Sequence, residues 1–464
     1  MNVFQTCLFV ACMIPFLAAA DDLSQKPNVV LILADDLGYG DLSCYGQKEY
    51  RTPAIDRLAN EGVRATDFYV PVPYCAPSRA SLLTGRFPFR HGMTRNPHPG
   101  THDDVGLSPS ELTLGEVFGK AGYATACIGK WHLGHVDPFL PARQGFEDYY
   151  GILYSNDMLP VQLFDRDKVV EDPVDQSLLT EKYTARAVKF IEEHKQEPFF
   201  LYLPHAMPHK PLAASENYYT PETPEDLYAD VIREMDGSVA AVRQALEQAG
   251  ILDRTVFIFM SDNGPSYGGS TGGLKGRKAS AWEGGVRVPF IIRYPAVFPA
   301  GKEVATPLWS LDLFPTLLEL AGVPLPEDVV LDGKDIIPAL KGEHFGRRPI
   351  FTAHNEKIIT IRDGDWKLYL EEPRYLKKSD VESQPMLNPW PDGVTIIAPE
   401  EQPGPGQYPG IIPARFSNPL PLFNLAEDPT ESLDLAAEYP EIVERLKEAH
   451  QRFLKSMLRQ EPQK

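Results

Sequence analysis

Four short apolar runs, each followed by polar residues, constrain the fold of this chain more than any other feature of its 464 residues. The runs span residues 28–34, 124–128, 199–203 and 255–260. A continuous apolar run of this length is typical of a strand that is buried on both faces. Helical periodicity lies between the runs at 180–194 and 226–249, and Gly250 closes the second helix. This alternation predicts a mostly parallel sheet covered by helices on both faces.

The polar residues that follow the four strands are expected to lie together, because ligands bind beyond the carboxyl ends of the strands in such sheets. Two of these clusters, Asp35-Asp36 and Asp262-Asn263, offer hard oxygen ligands. Such ligands suit Ca²⁺, and Mg²⁺ less well, while adjacent buried acids would repel each other without a cation. For either pair alone, a solvated turn is the simpler interpretation, since Asp-Asn-Gly is a common turn sequence.

A further segment reads Cys75-Ala76-Pro77-Ser78-Arg79 and continues to Thr84-Gly85-Arg86. Pro77 suits the first turn of a helix and Gly85 suits its end. Cys75 is therefore expected at a helix N-terminus, where backbone N–H groups and the helix dipole favour negative charge. Arg79 shares a helix face with Cys75, and a guanidinium there can bind an oxyanion. The alternative is a buried structural cysteine on an ordinary helix.

This segment resembles the C/S-x-P-S/x-R signature of the sulfatase family, which directs oxidation of the cysteine to formylglycine. The resemblance implies an alkaline-phosphatase-like α/β sandwich with a large, mostly parallel central sheet flanked by helices. It also implies a smaller C-terminal α+β subdomain with a short antiparallel sheet. The implied activity is hydrolysis of sulfate monoesters, in the branch of arylsulfatase A and N-acetylgalactosamine-6-sulfatase. That branch implies a carbohydrate substrate of the galactose or N-acetylgalactosamine type.

The resemblance assigns roles to numbered positions of this chain. The implied catalytic residues are Cys75, Arg79, Lys130, His132, His209 and Lys278; the implied substrate contacts are Ser155 and His205; and the implied metal ligands are Asp35, Asp36, Cys75, Asp262 and Asn263. The cofactors are one divalent cation, Ca²⁺ or alternatively Mg²⁺, and formylglycine derived from Cys75. The implied partners are a sulfated small molecule or glycan and, during maturation, a formylglycine-generating enzyme.

Two of these assignments involve a choice between neighbours. His209 is preferred to His205 because it stands before x-Pro, as in the family pattern, so His205 is the nearby substrate contact or a structural histidine. Lys278 is preferred to Lys275 because the family lysine lies five residues before the glutamate of Glu-Gly-Gly, here Glu283. The ordinary interpretation of either lysine is a solvated loop charge.

The Gly-Lys-Trp-His segment at 129–132 and the segment at 152–157 carry further parts of the resemblance. Lys130 and His132 are two residues apart, so in an extended segment their side chains project the same way. Ser155 is implied to hydrogen-bond the sulfate. Asn156 stands where that branch often has a histidine, so this position is expected to tune the substrate.

The implied mechanism uses a hydrated aldehyde at position 75, which offers two hydroxyls. One attacks sulfur, and His132 then removes a proton from the other so that sulfate leaves and the aldehyde re-forms. Arg79 and Lys130 stabilise the charge, while His209 and Lys278 hold the sulfate and protonate the departing alcohol. The alternatives are a phosphate mono- or diester or phosphonate hydrolase of the same superfamily, which mostly uses Ser or Thr, and an inactive secreted binding protein.

Residues 1–20 are predicted to be a signal peptide, because residues 3–16 are mostly apolar and Ala18-Ala19-Ala20 suits cleavage. The protein is thus expected to be secreted or periplasmic, with no transmembrane segment in the mature chain. The net charge of −19 argues against a nucleic-acid partner. Cys7 and Cys12 would leave with the signal peptide, and Cys44 and Cys127 either pair or stay free.

The pattern of apolar and polar residues changes after about residue 340. This change predicts a catalytic domain at 24–345 and a C-terminal subdomain at 346–464. Residues 357–362 and 366–370 are predicted to form a hairpin, and residues 438–458 a closing amphipathic helix. Between them, residues 385–421 are rich in Pro and Gly.

Overall fold

A computed structural model describes residues 26–220, 227–375 and 415–457. The predicted signal peptide at 1–20, the helix start at 226 and most of the Pro- and Gly-rich segment lie outside the described residues. Within them, no helix has the length and apolar character that a membrane crossing requires.

The strands form one large sheet and two small ones. In chain order the strands are β1 (Asn28–Ala34), β2 (Val63–Ala65), β3 (Phe68–Tyr69), β4 (Ala124–Lys130), β5 (Asp148–Ile152), β6 (Leu163–Asp165), β7 (Lys168–Glu171), β8 (Phe199–Pro204), β9 (Thr255–Ser261), β10 (Phe290–Arg293), β11 (Lys302–Val304), β12 (Leu308–Trp309), β13 (Pro349–His354), β14 (Lys357–Asp363), β15 (Trp366–Tyr369) and β16 (Leu422–Asn424). All four predicted apolar runs are therefore strands.

The α-helices are mostly short. In chain order they are α1 (Pro53–Glu61), α2 (Cys75–Thr84), α3 (Pro88–His91), α4 (Leu114–Lys120), α5 (Leu179–His194), α6 (Leu227–Gln248), α7 (Glu283–Val286), α8 (Leu313–Ala321), α9 (Ile337–Lys341) and α10 (Pro440–Met457). Local sequence explains their ends: Pro53 opens α1, and a Thr113–Glu116 capping box opens α4.

The large sheet has ten strands in the order β11-β2-β10-β9-β1-β8-β4-β5-β6-β7. Its five central strands, β9 to β5 in that order, are parallel, whereas β10 on one side and β6–β7 on the other are antiparallel to their neighbours. The predicted α/β sandwich is confirmed, with a parallel centre and mixed edges. The register pairs Ala34 with Ser261 and Leu33 with Pro204, so three polar clusters begin at the same sheet edge.

Strand β1 shows how the core is divided, because it is buried on both faces as its sequence predicts. Val29, Leu31 and Leu33 pack in a core with residues of α2, α4 and α8. Val30 and Ile32 face the opposite core, which contains residues of α1, α5 and α6. The helices thus cover both faces and leave the carboxyl ends of the strands for the site.

The C-terminal segment (residues 346–375 and 415–457) carries an antiparallel sheet in the order β13-β14-β15-β16. Gly364, with φ +62°, lies in the turn of the predicted β14–β15 hairpin. Helix α10 packs against this sheet, with the rings of Phe453 and Phe351 stacked 3.9 Å apart. The predicted hairpin, closing helix and short antiparallel sheet are confirmed. The domain boundary near residue 345 stays a prediction.

The three cysteines among the described residues are free. Cys127 is buried in the central sheet, and Cys44 is partly buried on a short turn that follows β1. Cys44 and Cys127, whose pairing the sequence left open, are therefore both thiols in the structure.

Candidate active site

Helix α2 places Cys75 at its first turn, as the motif predicts. Tyr74 precedes the helix in an extended conformation, Gly85 ends it with φ +66°, and all ten residues of the helix are buried. The Sγ atom of Cys75 lies 3.3 Å from Asp35 Oδ1, 3.5 Å from Lys278 Nζ and 3.9 Å from Lys130 Nζ. The cysteine is thus a fully buried thiol surrounded by charges.

Three buried acids follow the ends of β1 and β9. Asp36 has a left-handed backbone with φ +64°, and its N–H donates to Asp262 Oδ1 at 3.1 Å. Burial raises the pKa of Asp35, but Lys130 and Arg79 outweigh burial and hold that pKa well below its usual range. Burial and the nearby Asp35 raise the pKa of Asp262. Without nearby cations, these three buried carboxylates would not all stay ionised.

Three cations balance these acids. Arg79 Nε donates to Asp262 Oδ2 at 2.9 Å, Lys130 Nζ pairs with Asp35, and Lys278 Nζ lies 2.8 Å from Asp36 Oδ2. Arg79 also donates to the main-chain carbonyl of Lys130 at 2.8 Å, which ties α2 to the end of β4. We call these six residues the active-site cluster: Asp35, Asp36, Asp262, Arg79, Lys130 and Lys278.

The structure separates the two candidate lysines. Lys278 reaches Asp36 and Cys75, whereas Lys275 Nζ donates to the main-chain carbonyl of Glu431 at 2.8 Å. The aromatic rings of Trp282 and Phe416 lie 5.6 and 5.3 Å from the Lys275 ammonium group. Only Lys278 of the two thus belongs to the site.

The two histidines expected to act on protons also lie here. His132 has φ +57°, so the expectation of an extended Lys130–His132 segment is wrong: β4 ends at Lys130 and the chain turns. Both ring nitrogens of His132 are buried and have no hydrogen-bond partner among the described residues. Burial, with Lys130 and Arg79 nearby, holds its pKa well below the usual range. The ring is therefore neutral, which leaves one of its two nitrogens with a lone pair that can accept a hydrogen.

His209 borders the acids from the loop after β8. Its Nε2 lies 3.7 Å from Asp36 Oδ2, and its Nδ1 lies 2.5 Å from the carbonyl of Lys210. Because a carbonyl only accepts, Nδ1 carries the proton and Nε2 is left free to act on a ligand. Burial and the adjacent Lys278 lower the pKa of His209.

His205 is the one predicted site residue that the structure does not bring to the cluster. Its Nε2 lies 3.2 Å from Ser238 Oγ of α6, and its ring lies 6.3 Å from that of Tyr183 in α5. Burial lowers its pKa to about 4. These contacts are with the helical layer, so its predicted substrate contact remains a prediction.

The Ser155-Asn156-Asp157 segment contacts two elements of the site, Lys130 and the His209 loop. Ser155 Oγ accepts from Lys130 Nζ at 3.0 Å. Asn156 Nδ2 donates to the carbonyls of His209 and Pro211 at 3.2 and 3.3 Å, so this side chain holds the His209 loop. The sequence missed this role, since no local pattern links positions 156 and 209.

Asp41 is another residue that the sequence did not single out. Its buried carboxylate accepts from the N–H groups of Gly38 and Ser270, both at 2.7 Å, and from the hydroxyls of Tyr228 and Tyr50. It therefore fastens the loop after Asp36 to the loop after Asn263. Burial raises its pKa to about 6.

Comparison with known proteins shows the family of this chain. The sulfatase family model matches residues 27–323. The chain belongs to the sulfatase family. It is 35% identical to N-acetylgalactosamine-6-sulfatase of Rattus norvegicus, over 95% of this chain and 87% of that protein. It is also 35% identical to arylsulfatase A of Homo sapiens, over 93% and 88% of the two chains.

Among solved structures, this sulfatase is similar to Ps i-CgsB, crystallised in complex with k-i-k-neocarrahexaose. The TM-score is 0.75 and the identity 28%, over 92% of this chain and 93% of that chain. The predicted family, fold and enzyme class are thereby confirmed, and the protein is a sulfuric ester hydrolase.

Sulfatases use a metal ion, and the residues present here fit one. Ligand atoms of Asp35, Asp36, Cys75 and His209 lie within 4.8 Å of one another. Asn263 Oδ1 is buried and has no hydrogen-bond partner in the part of the chain that the structure describes, while its Nδ2 donates to Asp36 Oδ1 at 2.7 Å. A buried carbonyl oxygen without a partner, beside carboxylates, is a donor set that suits a hard cation.

Proposed function

We propose that this sulfatase hydrolyses sulfate monoesters of carbohydrates, with formylglycine formed from Cys75 as its nucleophile. The observation that carries the proposal is the position of Cys75 Sγ within 4 Å of Asp35, Lys130 and Lys278. A group placed there faces three cations, Lys130, Lys278 and Arg79. These cations can hold the oxygens of a sulfate.

The state of the thiol supports modification. Burial and the nearby Asp35 raise the pKa of Cys75 well above its usual value, so an unmodified thiol is protonated and a poor nucleophile. Formylglycine would supply a hydrated aldehyde, with one hydroxyl to attack sulfur and a second to release the sulfate. The buried surroundings of Cys75 are therefore better suited to this group than to thiolate chemistry.

The chain's own side chains divide the remaining work. Lys130 and Arg79 hold the sulfuryl oxygens and balance the charge that builds up as the ester bond breaks. Lys278, whose pKa is raised because Asp36 outweighs the effect of burial, stays protonated and can give a proton to the departing alcohol. When both of its ring nitrogens are protonated, His209 holds the sulfate through Nε2–H and shares that task. His132, whose neutral ring has no hydrogen-bond partner within the described segments, takes a proton when the sulfate is released.

The proposed cation is Ca²⁺, with Mg²⁺ as the alternative. Asp35, Asp36, Asp262, Asn263 and position 75 would hold it, and it would polarise a sulfate oxygen. Asp262 already binds Arg79 and the N–H of Asp36. His209, which the sequence did not predict as a metal ligand, offers a ring nitrogen within 4.8 Å of the ligand atoms of Asp35, Asp36 and Cys75. A calorimetric titration of Ca²⁺ into chelated enzyme and its Asp36→Asn variant tests the site, and equal binding to both contradicts it.

The proposal of a carbohydrate substrate is supported by proteins that are similar to this chain. One similar protein is an N-acetylgalactosamine-6-sulfatase, and the solved neighbour holds a neocarrahexaose, which supports a galactose- or N-acetylgalactosamine-type sulfate. The predicted signal peptide at 1–20, secretion to the periplasm or exterior, and maturation by a formylglycine-generating enzyme belong to the same proposal. A phosphate or phosphonate hydrolase is not favoured, because those enzymes mostly use Ser or Thr where this chain has Cys75.

The test uses protein made with a formylglycine-generating enzyme. We expect 4-nitrophenyl sulfate to be hydrolysed far faster than 4-nitrophenyl phosphate, and a panel of sulfated galactose and N-acetylgalactosamine derivatives to identify the sugar. Mass spectrometry of the peptide around Cys75 should show the aldehyde. A Cys75→Ser enzyme that turns over repeatedly at the wild-type rate would contradict the role of position 75. Protein that carries the aldehyde but hydrolyses no sulfate ester would support the inactive binding protein.

A further inference from the structure

The loop at residues 275–283, here called the Lys278 loop, delivers Lys278 to the site. The loop closes on itself, because the N–H of Gly284 donates to the carbonyl of Lys275 at 2.7 Å. At its tip, Ala279 has φ +65°, and its N–H donates to the carbonyl of Pro73 at 2.7 Å. The side chain of Lys278 extends from this tip to Asp36 and Cys75.

A single residue of the C-terminal segment, Glu431, holds both ends of this loop. Its carboxylate Oε2 accepts from the N–H of Glu283 at 2.8 Å, at the end of the loop where α7 begins. Its main-chain carbonyl accepts from Lys275 Nζ at 2.8 Å, at the start of the loop. The side chain and the backbone of one residue thus fix two points of the loop on either side of Lys278.

The position of Glu431 is itself fixed. The residue is fully buried and left-handed, with φ +52°, a conformation that a non-glycine residue rarely adopts. Lys367 Nζ lies 2.9 Å from Glu431 Oε1 and 2.9 Å from Glu283 Oε1. A small apolar cluster, to which Trp282 and Tyr369 belong, packs beside them and excludes water. A buried carboxylate held by a lysine and a backbone donor has little freedom to move.

We propose that Glu431 is a positioning residue for Lys278, so that the C-terminal segment sets the geometry of the active site without touching the substrate. The proposal rests on the proposed contact of Lys278 with the sulfate ester. Removal of the Glu431 carboxylate frees the end of the loop at Glu283. A shift of the Lys278 ammonium group by about an ångström would then cost about 10²-fold in rate.

The experiment is a double-mutant cycle of Glu431→Ala and Lys278→Ala, measured with 4-nitrophenyl sulfate on enzyme that carries formylglycine. We expect Glu431→Ala to lower kcat/KM by about 10²-fold in the wild-type background, and by less than about threefold when Lys278 is absent. Equal losses in the two backgrounds would overturn the proposal, because Glu431 would then act on the site by a route that does not include Lys278.

Asp434→Ala is the matched control. Asp434 lies three residues further on and accepts from the N–H groups of Leu422 and Ala436, but it has no hydrogen bond or ion pair with the Lys278 loop in the described part of the chain. It should lower kcat/KM by less than about threefold. If Asp434→Ala loses as much activity as Glu431→Ala at the same melting temperature, general loosening of the segment explains the effect and the proposal fails.

Two further variants keep the test decisive if Glu431→Ala does not fold. Glu431→Gln retains an oxygen for the N–H of Glu283 and leaves Lys367 paired with Glu283, so it should fold and lose less activity than Glu431→Ala. Lys275→Met removes the tie to the Glu431 carbonyl, together with the contacts of the ammonium group with Trp282 and Phe416. It should likewise lose activity only while Lys278 is present. Wild-type enzyme that does not hydrolyse the ester contradicts the proposed function instead, so the two failures are distinguishable.

Discussion

The Lys278 loop contributes one residue to each of two buried charge clusters, Lys278 to the active-site cluster and Glu283 to a second one. The clusters differ in how completely their polar atoms are paired. In the second cluster, which we call the Glu–Lys cluster (Glu283, Glu431 and Lys367), every carboxylate oxygen has a partner. Glu283 contacts Lys367 and the Tyr69 hydroxyl, and Glu431 contacts Lys367 and the N–H of Glu283. In the active-site cluster and beside it, buried atoms of His132, Asn263 and Asp157 have no hydrogen-bond partner among the described residues.

The difference separates buried charge that builds the fold from buried charge that awaits a ligand. A buried polar atom without a partner lowers the stability of the fold. Such an atom is retained where a substrate, a cation or a proton will bind to it. A fully paired buried network instead fixes geometry, as the Glu–Lys cluster does for the Lys278 loop. The first kind of cluster should therefore lose activity when altered, and the second should lose stability first.

The largest expected effect is on activity, from His132→Asn. Asparagine tolerates the left-handed backbone at this position, and the ring has no hydrogen bond to lose among residues 26–220, 227–375 and 415–457. The free energy of unfolding should therefore change by less than about 1 kcal/mol. Turnover should fall by about 10³- to 10⁴-fold, because the base that releases the sulfate is gone. Rapid mixing should show a burst of one product molecule per enzyme. An undiminished steady-state rate would contradict the assigned role.

Lys367→Met should act on stability instead. It leaves two buried glutamates without their shared cation, and breaking a buried pair in this way costs about 3–5 kcal/mol of unfolding free energy. Urea denaturation measures the loss. The control is Lys357→Met, since Lys357 forms a surface pair with Glu371 that is worth about 0–1 kcal/mol. A loss for Lys367→Met as small as for the control would remove the distinction between the clusters.

The pH dependence of stability gives a smaller effect. Burial, opposed by Lys367 and reinforced by Glu283, raises the pKa of Glu431 to about 7 from an ordinary 4.5. The folded state therefore binds a proton that the unfolded state has lost between these values, so this contribution to stability is complete below pH 4.5 and disappears as pH rises through 7. Tyr369 and Lys275 also contact Glu431.

Glu431→Gln cannot titrate, and comparison with wild type isolates the effect. The stability of wild type relative to Glu431→Gln should fall by at most about 3 kcal/mol from pH 4.5 to pH 8. Denaturation curves of both proteins at several pH values give this difference. A constant difference over that range would mean that Glu431 does not titrate in it.

The smallest expected effect is that of Asn156→Ala, which removes the two hydrogen bonds that hold the His209 loop. We expect kcat/KM to fall about tenfold and stability to fall by about 1–2 kcal/mol. Gln162→Ala is the control, since its amide donates to Asp172 at the surface. A KM that rises with kcat unchanged would show that Asn156 affects ground-state binding alone.

The sequence predicted what local patterns determine. The four apolar runs are strands because they are buried on both faces, and α2 begins at Cys75 and ends before Gly85 as its motif requires. Spacing and resemblance selected Lys278 over Lys275, and the structure places Lys278 Nζ beside Asp36. The predicted metal, catalytic and substrate-contact residues other than His205 lie around one edge of the sheet, because parallel strands end there.

What the sequence could not provide depends on contacts between distant positions. Glu283 and Glu431 share Lys367, yet none of the three stands in a local pattern that links it to the others. The backbone turn at His132 follows from the end of β4 rather than from residue spacing. The contacts of His205 with Ser238 and Tyr183 depend on how α5 and α6 pack, which periodicity does not specify.

The bond between the Glu283 N–H and Glu431 has a consequence for the timing of biosynthesis. Its two residues are 148 positions apart in the chain. A ribosome adds about 5–20 residues per second, so the loop and the central strands emerge on the order of 10 s before their last tether is translated. Every newly made molecule therefore passes through an interval in which the central strands can already pair. During that interval Glu431 does not yet hold either end of the Lys278 loop.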